Sequence, residues 1–449
     1  MSDTVSVQAL RVGMFVHLDV GWMAHPFPLS SFKIASAEQI ETIQGLGLRQ
    51  VRWSPERSDV DIHGVAVVPA GEGVAAVDDA VTPAANDEQA GAGGTSAADQ
   101  AQAARRAAEA AAVQARREQA ERVSAQQAAL RQCERQYGEA CRDLRRISDA
   151  VVGTPVKARE SADMLTRALL DKMLVDGELC LRVLGEPGGD RHSAHAMNVT
   201  VISLLLARAL ELEDSVLMDI GVGALLHDVG KLALPDRVRL LHDDFTHAEA
   251  ALYRDHVAKG VAQGQRMGLS NGALLVLAQH HELADGTGYP RGAHLTQISP
   301  AARIVAMVNT YDNLCNAAVP SKSLTPHEAL SRMFAQSRNK FDADMLSGFI
   351  RLMGIYPPGS VVQLSDERYA MVMTVNAARP LKPRVLVYEA GVPADQALHL
   401  DLDREGDLGI RRSLKAAQLP ARAAEYLRPR QRVAYFFDVE APQPLPEAA

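Results

Sequence analysis

The chain has 449 residues and a formal net charge of −8 at pH 7. That length fits about two to four domains, and the acidic balance argues against a general binder of nucleic acid polymers or of membrane surfaces. The four cysteines, Cys133, Cys141, Cys180 and Cys315, form no CxxC pair, which argues against a disulfide framework or thiolate zinc site and suits a reducing compartment.

The start, MSDTVSVQALRVGMFV, lacks a basic stretch followed by an apolar core and a cleavage site. The most apolar run, Val199 to Leu206, is interrupted by Thr200 and Ser203 and is too short to span a bilayer. A cytoplasmic protein is expected. Residues 1–68 read as a small α+β domain. Val5 to Leu18 gives short strands around a Gly turn, Ser36 is a candidate N-cap, and Ile40 and Ile43 share one helical face. Val51-Arg-Trp resumes a strand, and Trp22 and Phe27 read as core rather than ligand contacts.

Residues 69–150 change character twice. A Gly/Ala/Asp/Pro-rich stretch to about residue 100 reads as a linker that buries no core. From about Ala101 to Ile147 the sequence is rich in Ala, Arg, Glu and Gln, which is strong helix propensity. Its apolar face is too sparse for a heptad seam, so it reads as a solvated rod or a weak partner for another helix, and a homodimer stays open.

Residues 155–353 read as an all-α domain. Apolar residues recur at helical spacing over Met164–Leu174, Ala194–Leu210, Asp214–Leu226, His247–Met267, Leu274–His281 and Ser299–Asn316. Residues 354–440 shift to β-rich runs at Ser360–Leu364, Tyr369–Val375 and Arg384–Tyr388. A helix over 411–426 and a strand over Val433–Val439 complete the expectation, and a disordered Pro-rich tail follows.

Within the helical domain, His195, His227, Asp228, His256, His280 and His281 lie on or beside apolar helical runs. Imidazole and carboxylate without thiolate suit a borderline cation rather than a closed structural zinc site. Six ligands are too many for one metal with an open position, whereas two metals could share Asp228. Metal pairs about 3.5–4 Å apart recur in phosphate-ester cleavage. Lys231 offers a cation to an anionic substrate.

The combination LLHDVGK, His256-Val-Ala-Lys-Gly and HHELADGTGYP, in order, resembles the HD-GYP domain of bacterial signalling proteins, and the first stretch resembles the small domain often found ahead of it. The resemblance implies a multidomain chain with a central all-α HD-type domain between a small N-terminal α+β domain and a small C-terminal β-rich domain. It implies hydrolysis of cyclic di-GMP to pGpG or GMP with two divalent metals, iron or manganese. The implied metal ligands are His195, His227, bridging Asp228, His256, His280, His281 and Asn309. Asp228 and Lys231 are the implied catalytic groups. Lys231, Asp285, Gly288, Tyr289 and Pro290 are the implied substrate contacts. Diguanylate cyclases or other signalling proteins are the implied protein partners.

Three residues and one segment depart from that pattern. Asn309 stands where the family usually has an Asp ligand, with Asp312 one turn on as a conceivable substitute. Arg191 replaces a Glu ligand of trinuclear members, so two metals are the most expected. Leu283 replaces an Arg that grips nucleotide, and Asn316-Ala-Ala-Val-Pro replaces an Arg-Pro-Tyr segment, leaving Arg291 or Lys322 to compensate. The alternative these departures carry is a domain that no longer cleaves and acts as a cyclic di-GMP sensor or docking module. Hydrolysis of another phosphoester is a third option.

Overall fold

A computed structural model describes residues 3–20, 31–60, 97–173, 178–185, 190–240, 245–376 and 379–440. Trp22, Phe27, the linker up to residue 96 and the Pro-rich tail lie outside the described residues. Two compact units divide the chain. One spans Met1–Val20 and Ser30–Gln126, the other Gly21–Leu29 and Gln127–Ala449.

In the first unit, β1 (Asp3–Ser6), β2 (Phe15–His17), β3 (Ser31–Lys33) and β4 (Gln50–Trp53) form an antiparallel sheet ordered β1-β4-β2-β3. Helix α1 (Ala37–Gly45) starts at Ser36, whose Oγ accepts the Gln39 N–H at 3.4 Å. Val5, Val16, Ile34, Ile43, Val51 and Trp53 are buried, as the alternation of apolar residues in the strands requires. Helix α2 (Ala97–Gly153) begins within what the sequence presents as linker, and its residues from Gln127 on belong to the second unit, where Cys133, Tyr137, Leu144, Ile147 and Val151 are buried in the core rather than on a solvated rod.

The second unit is built on buried helices. These are α3 (Pro155–Met173), α4 (Arg191–Ala209), α5 (Asp214–Leu226), α6 (His247–Arg254), α7 (His256–Met267), α8 (Asn271–Gln279), α9 (Pro300–Cys315), α10 (Pro326–Ser337) and α11 (Ala343–Met353). Strand β5 (Glu178–Val183) lies between α3 and α4. Every residue from Ala196 to Ala207 of α4 is buried, and α5 is nearly as enclosed, so both form the centre of the core. α4 packs on α5 and α9, and α5 packs on α8. The ends are set by local chemistry. Asp190 Oδ1 accepts the His192 and Ser193 N–H groups, and Thr246 with Glu249 makes a capping box on α6. Gly268, in the left-handed region at φ +73°, closes α7. The single helix expected over His247–Met267 is broken at Asp255, and a new helix starts at His256.

Two further differences concern the sheet. Strands β6 (Val361–Leu364), β7 (Tyr369–Asn376), β8 (Arg384–Val387), β9 (Leu400–Asp401), β10 (Ile410–Leu414) and β11 (Tyr435–Glu440) form an antiparallel sheet together with β5, ordered β10-β6-β7-β5-β11 with β8 on the other edge of β7. The stretch expected to be helical almost throughout therefore contains a strand. Its reason is long-range: Glu-Leu-Cys-Leu-Arg-Val pairs with β7 and β11, and its buried Arg182 meets Asp438 of β11 at 3.3 Å. The helix expected over 411–426 is instead β10 followed, after Pro420, by α12 (Ala421–Leu427). Among the described residues no helix is long and apolar enough to cross a membrane.

Candidate metal centre

Three helix ends and the first turns of α4 converge. His195 sits in the second turn of α4, and His227 and Asp228 follow the apolar α5. His256 opens α7, and His280 caps α8 with His281 next to it. His227, Asp228, His256 and His280 are all at most 3% exposed.

Hydrogen bonds fix the ring tautomers. His227 Nδ1 lies 2.7 Å from the Ala224 carbonyl, His256 Nδ1 2.6 Å from Tyr253 and His280 Nδ1 2.9 Å from Leu277. A carbonyl only accepts, so each Nδ1 carries the proton and each Nε2 keeps its lone pair. His195 Nδ1 lies 2.6 Å from Asp312 Oδ2, which has the same effect. The Nε2 atoms then face one another. His195 and His227 approach to 3.2 Å, as do His256 and His280. In the neutral rings, neither member of either pair has a proton to give. His281 Nε2 and Asp228 Oδ1 are also buried without a hydrogen-bond partner. Leaving such atoms unsatisfied costs about 1–3 kcal/mol each, and cations among them would remove that cost.

The ligand atoms form two groups that share Asp228. One is Asp228, His256, His280 and His281; the other is His195, His227 and Asp228, with each group's atoms within 4.8 Å of one another. Burial by itself raises the Asp228 carboxyl, but Lys231 and the surrounding imidazoles outweigh it and hold it well below the usual carboxylate range. Burial pushes His280 and His281 well below the usual imidazole range, so both offer neutral nitrogen. Lys231 Nζ donates to Asp228 Oδ2 at 2.6 Å and lies 5.0 Å from the centre of the Tyr253 ring. Burial pulls the ammonium down, but Asp228 and Tyr253 more than offset it, so Lys231 stays charged.

Asn309 and Asp312 are both buried on α9. Asn309 Oδ1 accepts from Asn313 Nδ2 at 2.7 Å. Asp312 is not arranged as a substitute ligand. Its Oδ2 meets His195, and its Oδ1 accepts from Asn198 at 2.7 Å and Asn316 at 2.9 Å. It orients His195 from behind.

The Gly-Tyr-Pro loop packs onto His281. The Tyr289 ring stacks on that imidazole with centroids 4.4 Å apart, and Pro290 follows through a cis peptide bond. A Cβ on Gly288 would lie 2.5 Å from both the His281 carbonyl oxygen and the Leu283 nitrogen, so the glycine is required by close approach rather than by flexibility. Asp285 braces the same loop through Thr287 and Asn339. Leu283 packs against the main core. The residue that pins the loop is Glu282, buried, whose two oxygens accept the Arg291 and Ala293 N–H groups at 2.7 and 2.8 Å. Glu282→Ala leaves both donors unpaired, at about 1–3 kcal/mol each. Its thermal midpoint is expected to fall by roughly 5 °C or more, read by calorimetry; an unchanged midpoint would refute the pinning role.

A cavity of about 620 Å³ opens onto His195, Asp228 and Lys231, a size suited to a small-molecule ligand. Lys322 lines it; Arg291, Asp285, Gly288, Tyr289 and Pro290 do not. His192, Arg191 and Tyr253 line it as well. Tyr253 carries no motif in the sequence. Its position three residues before His256 is the signal that could have found it, since its carbonyl orients that ring.

Residues 186–345 match the HD domain family, and residues 2–162 match a domain of unknown function, DUF3391. The chain is 29% identical over 416 residues, 90% of each chain, to the cyclic di-GMP phosphodiesterase PA4108 of Pseudomonas aeruginosa. It is 33% identical over 162 residues, 35% of this chain and 43% of the relative, to the cyclic di-GMP phosphodiesterase response regulator RpfG of Xanthomonas campestris. Among solved structures, Bd1817, an HDG"Y"P protein from Bdellovibrio bacteriovorus, aligns with a TM-score of 0.39 at 14% identity, covering 78% of this chain and 98% of that one.

Proposed function

We propose, for a chain whose residues 186–345 match the HD domain family and whose residues 2–162 match DUF3391, a metal-dependent phosphodiesterase that opens cyclic di-GMP to pGpG or GMP. The observation that carries this reading is the pair of donor groups sharing Asp228, with lone pairs turned inward and no protons between them. His195, His227 and Asp228 would hold one divalent ion, and Asp228, His256, His280 and His281 the other; the imidazole and carboxylate donors suit borderline cations, and the resemblance to HD-GYP domains implies iron or manganese among them. Such a pair of ions supplies an activated water and neutralises charge on the phosphoryl oxygens.

The remaining work falls to the chain itself. Asp312 holds His195 in the tautomer that leaves Nε2 free. Lys231, held charged by Asp228 and lining the cavity, stabilises the negative charge that grows on the phosphoryl oxygens. The stacked Tyr289 and the buried Glu282 keep His281 and its loop in place. Neutral imidazoles with fixed tautomers need no reorganisation when charge develops nearby.

The test is incubation of the full-length protein with cyclic di-GMP and Mn²⁺ or Fe²⁺, with products separated by chromatography. Formation of pGpG or GMP that stops on chelation is expected. Binding without turnover under every metal would replace the enzyme by a sensor. Cleavage of other cyclic dinucleotides alone would shift the substrate assignment.

A further inference from the structure

We propose that Arg191 and Arg432 form a guanidinium clamp for the second, uncleaved phosphate of the substrate, so that the segment leading into β11 completes the active site. This rests on the reading of the substrate as a cyclic dinucleotide with two phosphodiesters. The chain as a whole is acidic, yet the cavity beside the metal centre is lined by six Lys or Arg side chains against three carboxylates. All three carboxylates are committed. Asp190 caps α4, Asp228 pairs with Lys231, and Asp312 holds His195, Asn198 and Asn316. The excess positive charge therefore faces the cavity.

Arg191 stands one helical turn before His195 and donates to the Asn316 and Ala318 carbonyls at 2.8 and 3.1 Å. That anchors its guanidinium over the cavity. Arg432 enters from the other end of the sequence, beyond the residues that match the HD family. Its neighbour Val433 is locked to the catalytic helices through its backbone. The Val433 N–H donates to Asn316 Oδ1 at 2.8 Å, and its carbonyl accepts from Asn198 and Asn316, both at 2.9 Å. The same two asparagines donate to Asp312, which orients His195. Arg432 is thus set in register with a metal ligand through two side chains. Burial first and then the charge of Arg432 work against the protonated state of Arg191, with Asp312 and Tyr253 acting the other way without cancelling them. No carboxylate pairs with either guanidinium among the described residues, and a bound dianion or phosphodiester would relieve the repulsion. The clamp supplies what the Leu283 position, turned into the core, does not.

The test compares full-length wild type, Arg432→Ala and Arg432→Lys, each loaded with Mn²⁺, on cyclic di-GMP and on bis(p-nitrophenyl) phosphate, which has one phosphodiester. Losing a charge-assisted contact is expected to raise KM for cyclic di-GMP about 10- to 100-fold in Arg432→Ala. kcat should fall far less, the preference for cyclic di-GMP over the aryl diester should drop at least about tenfold, and Arg432→Lys should recover part of it. Metal content should stay at the wild-type level, which separates loss of the side chain from loosening of the Val433 anchor. An unchanged KM, or an equal loss on both substrates, overturns the clamp. If wild type binds cyclic di-GMP without cleaving it, the enzyme reading fails, and the same variants' dissociation constants decide the clamp: a matching rise supports it, no rise overturns it. No binding by wild type overturns it as well.

Discussion

Asp228→Asn is expected to lower phosphodiester hydrolysis by about a thousandfold or more and to reduce bound metal. Asp228 is the one residue common to both donor groups, and Oδ1 has no partner in the protein to hold it elsewhere. The amide keeps its shape and removes its charge. A cation pair that neutralises phosphoryl charge contributes several kcal/mol, and each 1.36 kcal/mol is a factor of ten in rate. Removing one partner of a buried ion pair can also destabilise, by about 3–5 kcal/mol for a full truncation. Here Lys231 is 16% exposed at the cavity, and the Asn oxygen still accepts from it, so the variant should fold. Circular dichroism and a thermal melt check that point alongside the rate. Turnover within tenfold of wild type, with metal retained, would refute the role of Asp228.

Gly230→Ala is expected to be the most damaging single change outside the ligands. A Cβ there would lie 1.9 Å from the His256 carbonyl oxygen and 2.5 Å from the Gly260 nitrogen. Both are backbone atoms of α7, so no side chain can swing aside. Either the short helix Val229–Ala233 or α7 must move, and His256 goes with α7. Overpacking costs about 1–3 kcal/mol where side chains can adjust, and more where they cannot. The variant should lose about 3 kcal/mol or more and should bind less metal than wild type. Gly153→Ala, with nothing within 4 Å of the added carbon, is the matched control. Equal stability and metal content in the two variants would contradict this account.

The sequence exposes the candidate ligands because each histidine sits at the end or on the face of a helical run with apolar residues at helical spacing, where a buried polar residue needs a reason. The helix breaks at Asp255 and Pro420 and the strand at Glu178–Val183 were less legible. The first lies inside a continuous helical pattern, and β5 gains its stability from strands some two hundred residues away, which no local window reports. The same distance hid Arg432 and the asparagine anchor, because nothing near Val433 in sequence marks it as a neighbour of α4 and α9. Tyr253 acts through its backbone carbonyl, and Glu282 through a carboxylate whose partners are backbone N–H groups, which carry no residue-type signature of their own. Asp312 was legible as a carboxylate near the site but not as the group behind His195; only the 2.6 Å contact to Nδ1 distinguishes a positioning residue from a ligand.

Two donor groups that act as a pair of metal sites would hold two ions per chain. The most direct measurement is elemental analysis of full-length protein purified without chelator and without oxygen, beside Asp228→Asn treated identically. About two iron or manganese ions per chain in wild type, falling to one or fewer in the variant, is the predicted result. Wild-type protein that holds no stoichiometric metal after supplementation with either ion would contradict it.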